Sequence, residues 1–314
     1  MAEGAEAPSR PEPSVDVVIP TRSRASLVPG AVRSVLRQSH RRLRVLVVDA
    51  GYEPPLELPA DVVSDPRVEL IRTSRPSLPG EARNVGVAAG EAPFVAFLDD
   101  DDEWLPEKTE RQLELFARLP QQTALVACGF ELARADGATS VHVPDLGVVL
   151  RRRLLVHPVF QPSTVIMRRS AIEAVPTFED PHPRLQDWMY WIQLAERFDA
   201  AVVPEVLVWR RDSDVPPADL LEAHRFMYDW MREYVDALPV PERRRIRAHH
   251  LFDEGVLAAR CGDRREARRL LTAALRADPR RPRALLHLVR TVTGERLWER
   301  AVRLRLWLQA RRAT

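Results

Sequence analysis

The chain has 314 residues, of which 45% are hydrophobic and 29% are charged, as is typical of a folded, globular protein. The formal net charge of +2 gives no reason to expect a nucleic-acid partner, although residues 281–314 contain nine arginines against two glutamates. No segment has the roughly 20 uninterrupted apolar residues that a transmembrane helix needs.

The first segment, residues 1–14, is predicted to be a disordered tail. It is rich in Pro, Ala and Glu and lacks the apolar region of a secretory signal. Cys128 and Cys261 lie far apart and match no spacing of metal ligands. Both observations favour a reduced, cytoplasmic protein.

Strand-like runs then alternate with helical patterns up to residue 98. Helical periodicity is found at 27–38 and 80–89. The strand-like runs are 15–19, 43–48, 68–72 and 94–98. This alternation predicts a parallel α/β sheet of the kind that binds nucleotides.

Polar residues follow three of these strands: Thr21, Asp49 and the four aspartates at 99–102. Ligands bind at the carboxyl ends of the strands in open α/β sheets, so we expect these residues to converge there. Carboxylates about 4 Å apart repel by roughly 1–4 kcal/mol per pair, and a divalent cation with oxygen ligands would offset that repulsion. The alternative is an acidic helix N-cap, for which one or two acids would suffice.

The rest of the chain divides into a mixed part and a helical part. The mixed part has predicted helices at 107–119 and 184–198, and predicted strands at 124–132, 164–167 and 200–211. From residue 217 to 314 the pattern is helical. We therefore predict one α/β domain at 15–216 and a helical C-terminal region at 217–314.

Part of the helical region is spaced like a tetratricopeptide repeat, a helix–turn–helix unit of about 34 residues. The matching positions include Gly255, Ala267, Ala274 and Pro279. One repeat and a fragment are too few for a free-standing solenoid, so we expect a small appendage.

Four motifs occur in the order and at the spacing of inverting glycosyltransferase family 2, and the chain resembles members of that family. The motifs lie at 18–24, 47–49, 82–86 and 97–102. The resemblance covers about residues 15–211. It implies a GT-A fold, a Rossmann-like domain with a mixed, mainly parallel sheet flanked by helices.

The resemblance also implies roles for individual residues. Residues matching the nucleotide-sugar-binding positions are Pro20, Thr21, Arg24, Asp49, Arg83, Asn84, Asp99 and Asp100. Asp99 and Asp101 match the family's DxD motif, and Asp101 and Asp102 would lie nearest a bound Mn²⁺ or Mg²⁺. Such an ion stabilises the charge that develops on a departing diphosphate.

The segment at 184–191 resembles the family's Glu-Asp-Trp stretch, so Asp187 aligns with the acid that deprotonates the acceptor. An inverting transfer needs such a base on the face opposite the leaving group. The alternative is an aspartate that only stabilises a helix start. Three departures from the family pattern are Ala50 in place of a second acid, Gln186 in place of Glu, and 209–211 in place of a histidine that serves as a metal ligand.

The resemblance therefore predicts metal-dependent, inverting transfer of a single sugar from a nucleoside diphosphate sugar. UDP is the expected nucleotide because it is the usual one in the family. The Gln-x-x-Arg-Trp signature of processive synthases is missing. One alternative is a sugar nucleotidyltransferase, although residues 21–31 contain only Gly30 where those enzymes have a glycine-rich loop. Another is a nucleotide-sugar-binding or scaffold protein with degenerate catalysis.

The acceptor is left open among a small molecule, a peptide and a lipid-linked glycan. Apolar and arginine side chains alternate irregularly between 297 and 308. A cationic helix of this kind can contact an anionic membrane surface, or pack on the protein with its arginines reaching solvent. The first reading would place the enzyme peripherally at the inner face of the membrane.

Overall fold

The computed structural model describes residues 12–22, 24–134, 136–147, 150–179, 181–212 and 215–293. Most of the predicted N-terminal tail and all of the arginine-rich segment 297–308 lie outside the described residues. The chain divides into two compact units, the first ending at Ser213 and the second beginning at Asp214.

The first unit alternates strands and helices in the order that the sequence predicts. Its strands are β1 (Val15–Thr21), β2 (Leu43–Asp49), β3 (Val68–Arg72), β4 (Phe94–Phe97), β5 (Glu103–Trp104), β6 (Thr123–Ala133), β7 (Thr139–His142), β8 (Val165–Arg168) and β9 (Asp199–Arg211). Its helices are α1 (Val28–Leu36), α2 (Ala60–Val63), α3 (Pro79–Ala89), α4 (Lys108–Phe116), α5 (Leu150–Leu154), α6 (Arg169–Glu173) and α7 (Gln186–Leu194), with a 3₁₀ turn η1 at Pro162–Thr164.

The described strands of this unit form one sheet in the order β3-β2-β1-β4-β8-β6-β9-β5, with β7 paired to β6. The pairs among β1 to β4 are parallel, as predicted. β8 is antiparallel to both β4 and β6, whereas β9 is parallel to β6 and antiparallel to β5. The mixed α/β sheet expected from the sequence is confirmed.

The side chains of β1 alternate between the two faces of the sheet, and a helix packs against β1 on each face. Val17 and Ile19 pack in one core with residues of α1. Val18 faces α3, where a Cβ added to Gly86 would lie 2.3 Å from Val18 Cγ1. The glycine of the predicted motif at 82–86 is therefore needed for close contact between helix and strand.

The predicted polar edge forms where β1, β2 and β4 end. Thr21 lies beside Asp49 in the β1–β2 register. Leu98 N still bonds to Val18 O, and the chain leaves the sheet directly afterwards at Asp99. The strand ends thus bring the predicted residues to one side of the sheet.

The second unit is helical, with α8 (Pro217–Trp230), α9 (Arg232–Asp236), α10 (Val240–Arg260), α11 (Arg264–Ala277) and α12 (Pro282–Thr293). Helices α10 to α12 share an apolar core that includes Leu251, Ala267 and Ala284. A Cβ on Gly255 would lie 2.8 Å from Leu271 Cγ, so α10 and α11 pack closely at this glycine. Among the described helices, none combines the length and apolar content needed to cross a membrane.

Candidate functional site

Asp100 and Asp101 lie in the turn after β4 and share an arginine as their hydrogen-bond donor. Arg24 Nη1 donates to Asp100 Oδ1 at 3.1 Å and to Asp101 Oδ2 at 2.9 Å. Thr21 Oγ1 donates to Asp100 Oδ2 at 2.6 Å. Burial raises the pKa of Asp100 to about 6, against the opposing effects of the Thr21 hydrogen bond and the Arg24 charge. The structure thus brings together four of the residues predicted from the first and fourth strands.

Asp99 pairs with the second predicted arginine. Arg83, near the start of α3, donates from Nη2 to Asp99 Oδ1 at 2.9 Å, and its side chain is only 7% exposed. Its Nε is buried and has no hydrogen-bond acceptor among the described residues. A buried donor without an acceptor costs roughly 1–3 kcal/mol, so this side of Arg83 suits an anionic ligand.

Asp102 is the most enclosed of the four aspartates, at 1% exposure. Its Oδ2 accepts from Ser163 Oγ at 2.6 Å and from Arg210 Nε at 3.0 Å, and its Oδ1 accepts from Arg211 N at 3.2 Å. Ser163 Oγ also accepts from Asp99 N at 3.0 Å. Both Asp102 oxygens are therefore engaged by protein donors, and they hold the turn against η1 and the end of β9.

Asp187 is partly buried in the first turn of α7. Burial raises the pKa of its carboxyl group; the charge of Arg83 lowers it and that of Asp99 raises it. The carboxylate accepts backbone hydrogen bonds from its own N–H and from that of Trp188. Leu185, the residue before the helix, has a left-handed φ of 64°. Asp187 thus lies in the electrostatic field of the aspartate turn, with its carboxylate held at a helix N-terminus.

Asp49, predicted to hold the nucleotide base, is 2% exposed and supports its own loop. Its carboxylate accepts from Gly51 N at 3.3 Å, from Leu56 N at 3.0 Å and from Arg72 Nη1 at 3.3 Å. Pro20 lies beside Val48 in the buried β1–β2 register. These two predicted residues shape the end of the sheet, and the Asp49 oxygens already have protein donors.

Asn84 also has structural partners. Its Nδ2 donates to Phe178 O at 2.8 Å, and its Oδ1 accepts from Phe178 N at 3.0 Å. The Phe178 ring stacks on Tyr190 of α7 with the ring centroids 4.0 Å apart. Asn84 therefore ties α3 to the segment that precedes the helix of Asp187.

Asp101 and Asp102 were predicted to lie nearest a bound metal, but both Asp102 oxygens are bonded to protein donors, so the carboxylates of the turn that suit a divalent cation are those of Asp101 and Asp99. Asp99 and Asp101 each have one oxygen bonded to an arginine and one that accepts no hydrogen bond among the described residues. Their side chains are 26% and 20% exposed. No cluster of three or more His, Cys, Asp or Glu in the described ranges is arranged to hold a metal. An ion here would take its other ligands from a bound diphosphate and water, as Mg²⁺ usually does.

Sequence reasoning missed Ser163 and assigned no role to Arg210. Ser163 belongs to a short 3₁₀ turn between residues that carry no motif. Arg210 stands in the segment 209–211, where the family's histidine is missing, and this departure was the one signal that could have found it. Its contact with Asp102 depends on the pairing of β9 with β6 and β5.

Several known proteins that are similar to this chain are described as glycosyltransferases. A Bacillus subtilis protein described as the putative teichuronic acid biosynthesis glycosyltransferase TuaG is 29% identical over 141 residues, covering 43% of this chain and 54% of that protein. Escherichia coli WfgD, described as a UDP-Glc:alpha-D-GlcNAc-diphosphoundecaprenol beta-1,3-glucosyltransferase, is 22% identical over 57% of this chain and 69% of its own length. An uncharacterized glycosyltransferase of Rickettsia bellii is matched over only 27% of its length. The chain thus spans about half or less of several relatives.

Solved structures agree on the fold. Staphylococcus aureus TarS 1-349 in complex with UDP-GlcNAc has a TM-score of 0.57 at 17% identity, covering 85% of this chain and 83% of that one. The same protein in complex with UDP gives a TM-score of 0.54 at 15% identity, covering 82% and 90%. These likenesses support a GT-A fold. The family model described as Glycosyl transferase family 2 matches residues 16–175, about half of the chain. The chain therefore belongs to glycosyltransferase family 2.

Proposed function

We propose that this protein is a metal-dependent, inverting glycosyltransferase that moves one sugar from a UDP-sugar to an acceptor. The observation that carries the proposal is the turn at Asp99 and Asp101, which leaves two carboxylate oxygens available beside the partly buried Asp187. Two solved neighbours contain UDP or UDP-GlcNAc, which supports UDP as the nucleotide.

In this proposal Asp187 is the general base. It takes the proton of the acceptor group as the bond from that group to the anomeric carbon forms. The bond between the anomeric carbon and the diphosphate oxygen breaks at the same time, and its electron pair leaves with the diphosphate. A raised pKa makes Asp187 a stronger base than an ordinary aspartate, provided that it is ionised at the working pH.

The diphosphate would lie near Asp99 and Asp101. A divalent cation held by these two carboxylates would supply Lewis-acid stabilisation of the leaving group. Arg83 orients Asp99 through Nη2, and its buried Nε can donate a hydrogen bond to an oxygen of the nucleotide sugar. Thr21 and Arg24 keep Asp100 and Asp101 in place.

The acceptor is proposed to be a glycan, and a lipid-linked one is favoured. The relatives' names mention teichuronic acid and a diphosphoundecaprenol-linked sugar. An acceptor of that kind would bring the enzyme to a membrane surface, as suggested by the cationic segment 297–308.

The test is donor turnover by the full chain with UDP-, GDP- and dTDP-sugars, in Mn²⁺, Mg²⁺ or EDTA. We expect release of nucleoside diphosphate from a UDP-sugar, dependence on the metal, and a loss of about 10²–10⁴-fold in Asp187→Asn. Asp199→Asn, at the exposed start of β9, is the control and should retain full activity. Pyrophosphate as the product would instead indicate a nucleotidyltransferase. Binding without any turnover would indicate a scaffold.

A further inference from the structure

Among the described residues, Arg210 has a hydrogen-bond acceptor at only one edge of its guanidinium group. Nε donates to Asp102 Oδ2 at 3.0 Å, and the guanidinium carbon lies 5.1 Å from the centre of the Phe130 ring. The two terminal nitrogens donate no hydrogen bond to any described residue. The side chain retains 18% exposure, so these nitrogens are not sealed in the core.

The surroundings of Arg210 keep it charged. Burial alone would lower its pKa, but the carboxylates of Asp102, Asp99 and Asp187 together raise it. These are the acids of the turn and the proposed base. Arg210 therefore lies within range of the charges of these acids, although it belongs to β9, at a distance in sequence.

We propose that the terminal nitrogens of Arg210 bind the diphosphate of the donor and stabilise the negative charge that it gains on leaving. This inference rests on the proposed function and adds a further catalytic residue to it. A guanidinium is suited to the task because it can bond one anion through Nε and a second through its terminal nitrogens. A lysine at this position could pair with Asp102 or with the phosphate, but not with both in this geometry.

The geometry also explains why the contact with Asp102 is needed. Asp102 is 1% exposed and bonded to Ser163 and to the backbone of Arg211, so it cannot turn towards solvent. It therefore fixes Nε, while the Phe130 ring supports the guanidinium plane. The guanidinium group is therefore held in place before a ligand binds, which reduces the ordering cost of binding.

The experiment is calorimetric titration of the full chain with UDP and with uridine, in EDTA and in Mn²⁺. Arg210→Lys keeps a cation beside Asp102, which protects the fold, and removes the second edge of the guanidinium. We expect its dissociation constant for UDP in EDTA to rise about tenfold or more, since a hydrogen bond to a charged group is worth about that much. Uridine, which has no phosphate, should bind as it does to the wild type.

Arg211→Lys is the matched control, because its side chain is exposed and only its backbone N–H bonds to Asp102. It should bind both ligands as the wild type does. Unchanged UDP affinity in Arg210→Lys would overturn the inference, and so would an equal loss of UDP and uridine, which would indicate a structural role. A wild-type chain that binds none of UDP, GDP and dTDP would overturn the proposed function itself.

Discussion

Two of the buried aspartate–arginine pairs that the structure describes in the first unit differ in how completely the arginine is bonded. Asp16 pairs with Arg169 at 2.8 Å, and Asp102 pairs with Arg210 at 3.0 Å. Exposure does not distinguish them, since the arginine side chains are 14% and 18% exposed and the aspartates 3% and 1%. Burial of an ion pair therefore says little about its role.

Hydrogen bonding does distinguish them. In Arg169, Nε donates to Ala92 O, Nη1 to Val87 O and Nη2 to Asp16 Oδ2, so each nitrogen is engaged. In Arg210 only Nε is engaged among the described residues. The first pair is closed and has a structural role, whereas the second keeps bonding capacity for a ligand. The same distinction separates Arg169 from Arg83, whose buried Nε has no acceptor.

The largest effect on stability is expected at the closed pair. Arg169→Met removes the cation that bonds directly to the buried Asp16 carboxylate, and breaking a buried pair in this way typically costs about 3–5 kcal/mol of unfolding free energy. Urea unfolding measures the loss, and the folded fraction should retain its donor affinity. A loss below about 1 kcal/mol would contradict the structural reading, because that is the usual value of an exposed pair.

Lys108, the only lysine of the chain, is a buried cation without a carboxylate partner among the described residues. Its Nζ donates to Gln112 Oε1 at 2.8 Å and lies 3.8 Å from the centre of the Trp104 ring. Burial lowers its pKa to about 8, although the neighbouring Cys128 thiolate would raise it. Folding therefore makes Lys108 lose its proton at a lower pH than in the unfolded chain.

This pKa predicts that the contribution of Lys108 to stability rises with pH. Between pH 8 and 10.5 Lys108 binds fewer protons in the folded state than in the unfolded state, so its contribution to stability increases with pH, by on the order of 3 kcal/mol across the full window. Lys108→Met should lack this component, and the difference between the two unfolding curves isolates it from other titrations. A constant difference between pH 8 and pH 10 would refute the prediction.

A smaller effect is expected where the closed pair packs on a glycine. A Cβ added to Gly90 would lie 2.2 Å from Asp16 Oδ2, so Gly90→Ala should cost about 1–3 kcal/mol through overpacking. Gly30→Ala is the matched control, since its nearest neighbour is the flexible end of Glu103 at 3.2 Å. Within helix α1 that change should be neutral or stabilising. Equal effects of the two substitutions on the melting temperature would argue against the packing explanation.

The smallest effect on stability is expected at Arg24, whose side chain is exposed. The Arg24 side chain is 51% exposed, so its ion pairs with Asp100 and Asp101 contribute about 0–1 kcal/mol. Arg24→Gln should therefore unfold close to the wild type but bind UDP more weakly. Arg33→Gln removes a comparably exposed ion pair, with Asp61, and serves as the control for both measurements. A stability loss as large as that of Arg169→Met would contradict the difference proposed between the buried Arg169 pair and the pairs of the exposed Arg24.

The parallel half of the sheet and its polar edge were predictable, because both depend on local patterns. Alternating strands and helices over residues 15–98 indicate parallel pairing, and Thr21, Asp49 and the aspartates come directly after strands. The structure confirms that these strand ends meet. The grouping of Arg24 and Arg83 with the aspartates followed from the family register, whereas neither arginine alone carried a signal.

Other parts of the site needed contacts between distant segments. The two-residue strand β5, the antiparallel direction of β8 and the bonds of Ser163 to Asp99 and Asp102 have no local pattern. The engagement of Asp49 by its own loop and of Asn84 by Phe178 was equally invisible, because a sequence does not reveal which donors reach a buried carboxylate or amide.

Hydrophobic periodicity and strand ends are local features, so the order of strands and helices and the chemical groups at the end of each strand can be read from the amino-acid sequence. Which arginine is fully bonded, and which keeps donors without an acceptor among the described residues, depends on the folded structure. The difference is set by the exact neighbours of each nitrogen atom, which the pairing of strands far apart in the chain brings into place.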